Sequence, residues 1–251
     1  MISVVINTYN AERRLQQVLD AVKSFDEILV CDMESTDSTL QIAQQNGCRI
    51  VTFPREKSNI VEPAREFAIH EAKHEWVLVV DADEIVTTAL HDYLYELIQR
   101  DDAPDGLLIP RKNYFMGRFM RCHYPDYILR FFKRDKTHWP AIIHASPEVD
   151  GRVDAIPQSR LDLAFEHLAD DTVSSRLQKT DTYTENELPK RCNKHYGTMA
   201  LVFRPMWFFI KSYLIKKAIL DGKPGFIKSV LEAYYQFVML AKLEERKAEG
   251  E

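Results

Sequence analysis

The amino-acid sequence predicts an α/β fold, with a mostly parallel central sheet flanked by helices and a helical extension at the C-terminal end. Within residues 1–100, four short apolar runs alternate with segments whose apolar residues recur at helical spacing. After residue 199, aromatic and basic residues dominate and the strand-like runs stop. The chain has 251 residues, 45% of them hydrophobic, so it can bury a large core without disulfide bonds. This alternation requires parallel strands with helices on both faces of the sheet.

Local patterns place the elements of the first hundred residues. Four strands are predicted, at residues 2–6, 27–31, 49–53 and 76–80. Four apolar residues at helical spacing predict the first helix: Leu15, Val18, Leu19 and Val22. The next three helices are expected to begin near a capping or first-turn residue: Thr39, Pro63 and Thr88.

The pattern changes beyond residue 100. Short strand-like pieces lie among turns, at residues 107–110 and 127–132. Three helices are predicted after them: a polar one at 172–193, and two within 199–246 that break at 221–225. We therefore expect two domains. The first spans residues 1–170, with halves 1–100 and 101–170 that each contribute to one site, and the second is a helical extension at 171–251.

The net charge of −5 is unevenly distributed. Residues 194–247 carry ten Lys/Arg against four Asp/Glu, whereas residues 1–193 carry 23 against 32. An acidic main body argues against a nucleic-acid-binding protein. A basic and aromatic C-terminal segment is typical of helices that lie on a membrane surface. The alternative is that these helices pack on the first domain or form a dimer interface.

Several sequence features bear on the compartment. Four scattered cysteines without CxxC spacing indicate a reducing environment. The chain opens on a strand-like run without a basic leader, so no signal peptide is expected. The most apolar stretch, residues 199–220, is interrupted by charges such as Arg204 and Lys211 and is not expected to span a bilayer. We expect the protein on the cytoplasmic side of a membrane.

The strongest chemical signal is Asp81-Ala82-Asp83-Glu84, directly after the fourth apolar run. Strand alternation would point Asp81 and Asp83 to the same side, toward the strand-end crevice. Two carboxylates there suit Mg²⁺ or Mn²⁺, with a diphosphate completing the coordination. The alternative is that these acidic residues only favour the N-terminus of the following helix.

Two other polar segments follow the first and second predicted strands. Residues 7–12 form a small loop that can admit a nucleotide, with Tyr9 as a stacking face, but it is neither GxGxxG nor a P-loop. Residues 32–39 include Asp32 and Glu34, whose carboxylates can accept hydrogen bonds from a ribose or a base. The alternative is a capping loop for the second helix. In such sheets, ligands bind at the carboxyl ends of the strands.

Taken together, these segments resemble the family 2 glycosyltransferases, which have the GT-A fold. The resemblance rests on ISVVINTYNAE, DEILVCDMESTDSTLQIAQQ, Pro63-Ala64-Arg65 and WVLVVDADE, in matching order and spacing. Further segments resemble the branch of lipopolysaccharide-core β-1,4-glucosyltransferases: YPDYILRFF at 124–132, Ile143-His144, Asp150-Gly151, His167 and the tail around LDGKPG.

The resemblance implies roles for named residues. Those expected to line the nucleotide sugar are Thr8, Tyr9, Glu12, Asp32, Glu34, Arg65, Asp81 and Ala82. A Mn²⁺ or Mg²⁺ cofactor would be held by Asp83, Asp81 and His167. The alternative for His167 is a purely structural histidine.

Two positions depart from the family pattern. Family members often carry Arg-Asn where this chain has Arg65-Glu66, and many have a Glu where Ala145 follows His144. In the relatives, that Glu is a usual candidate for the base that takes the proton of the acceptor hydroxyl. The remaining candidates for the base are Glu148, His144 and Asp126. The alternative for Glu148 is an exposed turn carboxylate.

The implied reaction is an inverting transfer of a sugar, with UDP-glucose as the donor. The implied acceptor is a cell-envelope glycan or a lipid-linked acceptor such as lipopolysaccharide core. The implied location is the cytoplasmic face of the inner membrane, which the protein would contact through residues 199–243. The sequence is compatible with a homo-oligomer as well as with a monomer. One alternative is a sugar-nucleotide nucleotidyltransferase, although its glycine-rich signature is missing. Another is a non-catalytic nucleotide-sugar-binding protein, which Ala145 favours.

Overall fold

The structure is a computed structural model that describes residues 1–57, 60–142, 145–168, 172–191 and 196–249. It divides into two compact units. The first comprises Met1–Lys112 and Pro125–Leu168, and the second comprises Asn113–Tyr124 and the described residues after 171. The functional boundary expected at residue 170 stays a prediction.

The strands and helices largely follow the predicted order. The strands are β1 (Ile2–Thr8), β2 (Glu27–Asp32), β3 (Arg49–Thr52), β4 (Trp76–Asp81), β5 (Glu84–Ile85), β6 (Gly106–Phe115), β7 (Arg118–Phe119), β8 (Asp126–Lys133), β9 (Thr137–His138), β10 (Glu148–Val149), β11 (Val153–Ala155) and β12 (Phe165–His167). The helices are α1 (Glu12–Val22), α2 (Thr39–Gln45), α3 (Glu62–Glu71), α4 (Thr88–Leu97), α5 (Val173–Arg191), α6 (Ala200–Ile210) and α7 (Gly222–Glu249).

A mixed sheet forms the centre of the first unit, in the order β3-β2-β1-β4-β8-β6-β12-β5. The first four strands in that order are parallel to one another, and β8 pairs antiparallel to β4. This arrangement confirms the predicted α/β class with a largely parallel sheet and flanking helices. Apart from β5, the antiparallel strands come from the part of the chain after residue 100, where the sequence pattern also changes.

Strand alternation divides the core of this unit between the two faces of the sheet. On one face, Val4, Val30 and Leu78 pack with residues of α1 and α4. On the other face, neighbouring residues such as Val5 and Val77 pack with α3. Both faces of β1 and β4 are thus apolar because both are covered, which is why these strands are continuous hydrophobic runs in the sequence.

Local capping fixes the start of two helices. Thr87 accepts a hydrogen bond from the Leu90 backbone N–H at 3.1 Å and caps α4. At α2, Asp37 Oδ1 accepts a hydrogen bond from the Thr39 backbone N–H at 3.0 Å. Both helices therefore begin at the residues that the sequence predicted, Thr39 and Thr88. At α2 the bond comes from the residue before the N-cap, because the N-cap Ser38 makes no side-chain cap hydrogen bond.

The second unit is helical. Here α6 continues into a π-helical turn, Lys211–Ile215. Lys217 then adopts a left-handed conformation with φ 59°, and a short 3₁₀ segment, Ala218–Asp221, leads into α7. The predicted pair of helices is confirmed, but the chain leaves the helical path at Lys216, earlier than the sequence suggested. Gly225 is required next to this break, because a Cβ there would collide with the Ala218 carbonyl oxygen. Among the described residues, no helix is long and apolar enough to cross a bilayer.

Candidate active site

The three polar segments singled out in the sequence meet at one edge of the sheet. In the β1–β2 pair, Thr8 lies opposite Asp32, and in the β1–β4 pair, Asn7 lies opposite Asp81. The carboxyl ends of three adjacent parallel strands are therefore aligned. This is the edge at which α/β sheets bind ligands.

Hydrogen bonds tie the loops after β1 and β2 together. Asp32 is fully buried; its Oδ1 accepts a bond from Thr8 Oγ1 at 2.8 Å and its Oδ2 accepts one from the Ser35 N–H at 2.8 Å. Asn10 Oδ1 accepts a bond from the Thr36 N–H at 2.8 Å. In this structure Asp32 and Thr8 organise the loops, and their expected contact with the nucleotide stays a prediction.

Glu12 has a structural role at the same edge. Its Oε2 accepts a hydrogen bond from the Ser38 N–H at 3.0 Å, while its own N–H donates to Asp37 Oδ2 at 3.1 Å. The beginning of α1 is thereby fastened to the beginning of α2. A contact between Glu12 and the donor nucleotide stays a prediction.

Tyr9 is the exposed aromatic residue of the predicted nucleotide loop. Its side chain is 46% exposed, and the Arg55 guanidinium lies over its ring at 4.0 Å from the ring centre. Glu34 Oε2 accepts a hydrogen bond from the Arg55 backbone N–H at 3.1 Å. This flat cation–aromatic pair offers a stacking surface beside the strand ends.

Asp81 is held between two arginines. Arg65 donates to its Oδ1, and Arg130 Nη2 donates to its Oδ2 at 2.8 Å. Burial raises the pKa of the Asp81 carboxyl, but Arg130 and then Arg65 outweigh it, so the pKa lies below its ordinary value. Both oxygens of Asp81 thus accept from arginines, and its expected role as a metal ligand stays a prediction. The partly buried Ala82 follows directly.

A tryptophan lies against both arginines. The buried Trp139 ring lies 4.9 Å from the Arg65 guanidinium carbon and 5.2 Å from that of Arg130. Arg130 is only 7% exposed, and within the described part of the chain its Nε and Nη1 have no hydrogen-bond partner. Buried guanidinium N–H groups are costly to leave unpaired, so this pair of arginines is suited to an anionic ligand.

A second charged cluster lies beside the first. Glu84 is fully buried and accepts from Arg111 Nη1 at 3.0 Å, and Arg111 Nη2 also donates to Asp126 at 2.7 Å. Burial, followed by the charge of Asp81, raises the pKa of the Glu84 carboxyl. Glu84 Oε2 also accepts from the Asp81 backbone N–H at 3.1 Å, which fixes the turn after β4.

Asp83 and His167 meet at the end of this turn. His167 Nε2 lies 3.3 Å from Asp83 Oδ2, and the Leu168 N–H donates to the Asp83 carbonyl at 2.7 Å. The contact arises because β12 pairs with β5, which begins at Glu84. Among the described residues, no cluster of three or more His, Cys, Asp or Glu side chains is placed to hold a metal. Asp83 and His167 thus bring together two side chains of metal-ligand type.

The candidates for the base differ in their surroundings. Asp126 is committed to Arg111 through two hydrogen bonds, from Nε at 3.0 Å and from Nη2 at 2.7 Å. Glu148 is exposed and lies opposite His138 in the β9–β10 pair, one residue from Trp139. His144 lies outside the described residues. No catalytic role is decided by these contacts.

Sequence reasoning assigned no role to Arg130, Trp139 or Arg111. Arg130 stands between the apolar residues Leu129 and Phe131 of a strand. That pattern alone could have marked it as a buried charge with a functional role. Arg111 lies directly opposite Asp126 across the β6–β8 pair. This contact can be predicted only when the register of the two strands is known. Trp139 gives no local signal.

The fold and the site define a class of enzyme, the GT-A glycosyltransferases, and comparison with known proteins agrees. Residues 3–148 match Glycosyl transferase family 2. The chain is 25% identical to the lipopolysaccharide core biosynthesis glycosyltransferase LpsC of Rhizobium meliloti, over 98% of this chain and 93% of that protein. It is 27% identical to an uncharacterized glycosyltransferase of Rickettsia typhi, over 97% of this chain and 87% of that protein.

Solved structures share the fold. The mannosyltransferase PcManGT from Pyrobaculum calidifontis, in complex with GDP-Man and Mn²⁺, matches with a TM-score of 0.56 at 14% identity, covering 96% of this chain and 86% of its own. S. aureus TarS (residues 1–349) matches with a TM-score of 0.50 at 16% identity, covering 100% and 92%. The chain belongs to glycosyl transferase family 2.

Proposed function

We propose that this glycosyltransferase moves glucose from UDP-glucose to a cell-envelope glycan or lipid-linked acceptor such as lipopolysaccharide core, with inversion at the anomeric carbon and with a divalent metal. The observation that carries the proposal is the approach of Asp83 and His167 to 3.3 Å at the strand edge where Arg65 and Arg130 flank Asp81. The similarity to LpsC, a glycosyltransferase of lipopolysaccharide core biosynthesis, supports the acceptor class.

The donor set of the site fits a metal. One carboxylate and one imidazole suit Mn²⁺ better than Mg²⁺, which prefers oxygen ligands alone. Asp83 and His167 would hold the ion, and PcManGT contains Mn²⁺ together with its nucleotide sugar. When bound, the metal neutralises the charge that develops on the leaving diphosphate.

The chain's own residues account for the remaining steps. Arg65 and Arg130 would bind diphosphate oxygens, and the Tyr9–Arg55 pair would stack on the base. The acceptor oxygen forms a bond to the anomeric carbon while the bond from that carbon to the diphosphate oxygen breaks. We assign removal of the acceptor proton to Glu148, because Asp126 is already committed to Arg111.

The proposed division of labour places catalysis in residues 1–170 and membrane contact in residues 171–251. Large apolar side chains of the second unit are exposed, among them Phe203 at 53% and Trp207 at 52%. An interfacial position for this segment would bring the enzyme to a lipid-borne acceptor on the cytoplasmic face of the inner membrane.

The test measures release of UDP from UDP-glucose with Mn²⁺, and binding of UDP with and without the metal. Asp83→Asn and His167→Gln should each abolish the metal-dependent part of UDP binding. Asp92→Asn is a matched control, because Asp92 pairs with His91 at 2.8 Å on α4. Metal-dependent binding that survives both site variants would contradict the metal site.

The same assay separates the alternatives. Pyrophosphate-dependent formation of UTP would indicate a nucleotidyltransferase. Binding of UDP-glucose without any turnover, even with lipopolysaccharide core added, would indicate a nucleotide-sugar-binding protein, which Ala145 in place of a Glu favours.

A further inference from the structure

The second unit contains a cavity of about 330 Å³ between α5, α6 and α7. Four cationic side chains line it: Arg176, Lys179, Lys216 and Lys228. Glu232 is the one carboxylate that lines it among the described residues. Its volume lies at the lower end of the range for small-molecule sites.

The carboxylate of the cavity is already engaged. His123 Nε2 lies 3.0 Å from Glu232 Oε1, in the same unit. Burial raises the pKa of the Glu232 carboxyl, but His123 and Lys216 together lower it by more. The pKa of Glu232 therefore lies below its ordinary value. The lining therefore keeps an excess of positive charge at neutral pH.

Lys228 brings a buried positive charge to the wall of the cavity. The residue is only 4% exposed, and its Nζ lies 5.8 Å from the centre of the Phe115 ring. A charge in such shielded surroundings attracts an anion more strongly than the same charge in bulk water.

Aromatic and apolar side chains form much of the rest of the lining, together with the polar Thr180 and Gln236. Phe208, Leu231 and Tyr235 contribute to the lining, and Tyr235 is fixed by a hydrogen bond from its OH to Glu187 Oε1 at 2.8 Å. A ligand that fills the cavity should thus carry a compact anionic group next to an apolar portion.

We propose that this cavity is a binding site for a phosphate group, supplied by an anionic lipid headgroup or by a free phosphate. A phosphate matches the cation-rich lining, because it brings up to two negative charges and several acceptor oxygens. This site is separate from the proposed nucleotide-sugar site, because every residue that lines the cavity belongs to the second unit.

The experiment measures binding of two probes to the full chain by calorimetry: inorganic phosphate and monomeric dihexanoylphosphatidylglycerol. The test variant is Lys179→Gln with Lys216→Gln, two exposed positions whose change should leave the fold intact. The control is Lys23→Gln with Lys247→Gln, which changes the net charge equally but lies outside the cavity lining. We expect at least a tenfold loss of affinity in the test variant and none in the control.

The two probes distinguish the sources. Tighter binding of the lipid than of inorganic phosphate, lost in the test variant, supports a headgroup site. Equal binding of both, lost in the same variant, supports a site for the free anion. Unchanged affinity in the test variant, or an equal loss in the control, overturns the proposal. UDP binding, measured in the same variants, reports on the donor site and should not change.

Discussion

Arg130 shows most directly how a single residue connects fold and chemistry. It lies in β8 with its guanidinium buried, bonded to Asp81 through Nη2 and packed on Trp139. Its planar group and its permanent charge both matter here, since lysine can supply the charge but neither the flat face nor the additional N–H groups. Because the arginine pair reaches both oxygens of Asp81, it also fixes that carboxylate.

We predict that Arg130→Lys lowers kcat/KM for UDP-glucose about tenfold, which corresponds to about 1.4 kcal/mol, the scale of one charged hydrogen bond. Arg160→Gln is the control, because Arg160 is exposed and pairs with Asp162. Steady-state kinetics over a range of donor concentrations would measure the effect. Identical kinetics for Arg130→Lys and the native enzyme would show that the guanidinium of Arg130 does not contribute to donor binding or transfer.

The second prediction for a single residue concerns the base that removes the proton of the acceptor hydroxyl. Glu148→Gln should lower the transfer rate by about 10²–10⁴-fold, the usual contribution of a general base, while UDP binding is retained. Asp126→Asn is the comparison, since it removes a carboxylate that is bound to Arg111. Transfer rates and UDP affinity measured side by side decide between them. A rate that falls only in Asp126→Asn would move the base to Asp126.

At the scale of elements, Glu66 joins α3 to the segment that carries Trp139. Its Oε2 accepts a hydrogen bond from the Trp139 backbone N–H at 2.7 Å, and its Oε1 lies 2.9 Å from His138 Nδ1. The carboxylate thus positions the tryptophan that packs on both arginines.

Glu66 predicts a pH dependence of stability. Burial raises the pKa of its carboxyl, but the Trp139 N–H and His138 outweigh it, so the pKa in the folded protein lies below the ordinary value of 4.5. A depressed pKa stabilises the fold above pH 4.5, and this contribution is lost as the pH falls through the folded value. Glu66→Gln should therefore lower the free energy of unfolding by about 1 kcal/mol at pH 7.

Urea unfolding at pH 7 and below pH 4 measures this effect. The difference between Glu66→Gln and the native protein should shrink as the pH falls, since protonation removes the charge that the substitution removes. A difference that stays constant over that range would show that the charge of Glu66 does not contribute.

At the scale of the whole molecule, exposed apolar surface and positive charge concentrate in the same part of the sequence. Phe203, Met206 and Trp207 of α6 are each about half exposed, and so is Phe226 of α7. Basic residues of the same segment would favour anionic lipid. The acidic remainder of the chain would be repelled by the same surface.

We predict that Phe203→Ser combined with Trp207→Ser reduces binding to vesicles containing anionic lipid about tenfold, because two half-exposed aromatics lose their apolar contact. Leu161→Ser, an exposed apolar residue of the first unit, is the control. Vesicle sedimentation at low and high salt measures binding. Equal sedimentation of the native and double-variant proteins would assign these side chains to another role.

Much of the first unit could be predicted from local patterns. Strands β1, β2 and β4 are apolar runs because both faces of each are covered, and α4 starts at its capping residue Thr87. The meeting of the loops after β1, β2 and β4 also followed, since parallel strands end at a common edge. The antiparallel strands after residue 100 were less readable, because they are short and their register depends on distant partners.

The sequence by itself determined the family, the strand-end carboxylates and the basic, aromatic character of the tail, because these depend on residue type and short spacing. Only the tertiary structure decided which carboxylates are engaged: Asp81 by two arginines, Asp126 by Arg111, and Asp83 by His167. Such partnerships join residues of different elements that lie far apart in the sequence. They depend on sheet order and register, which arise from packing of the entire unit.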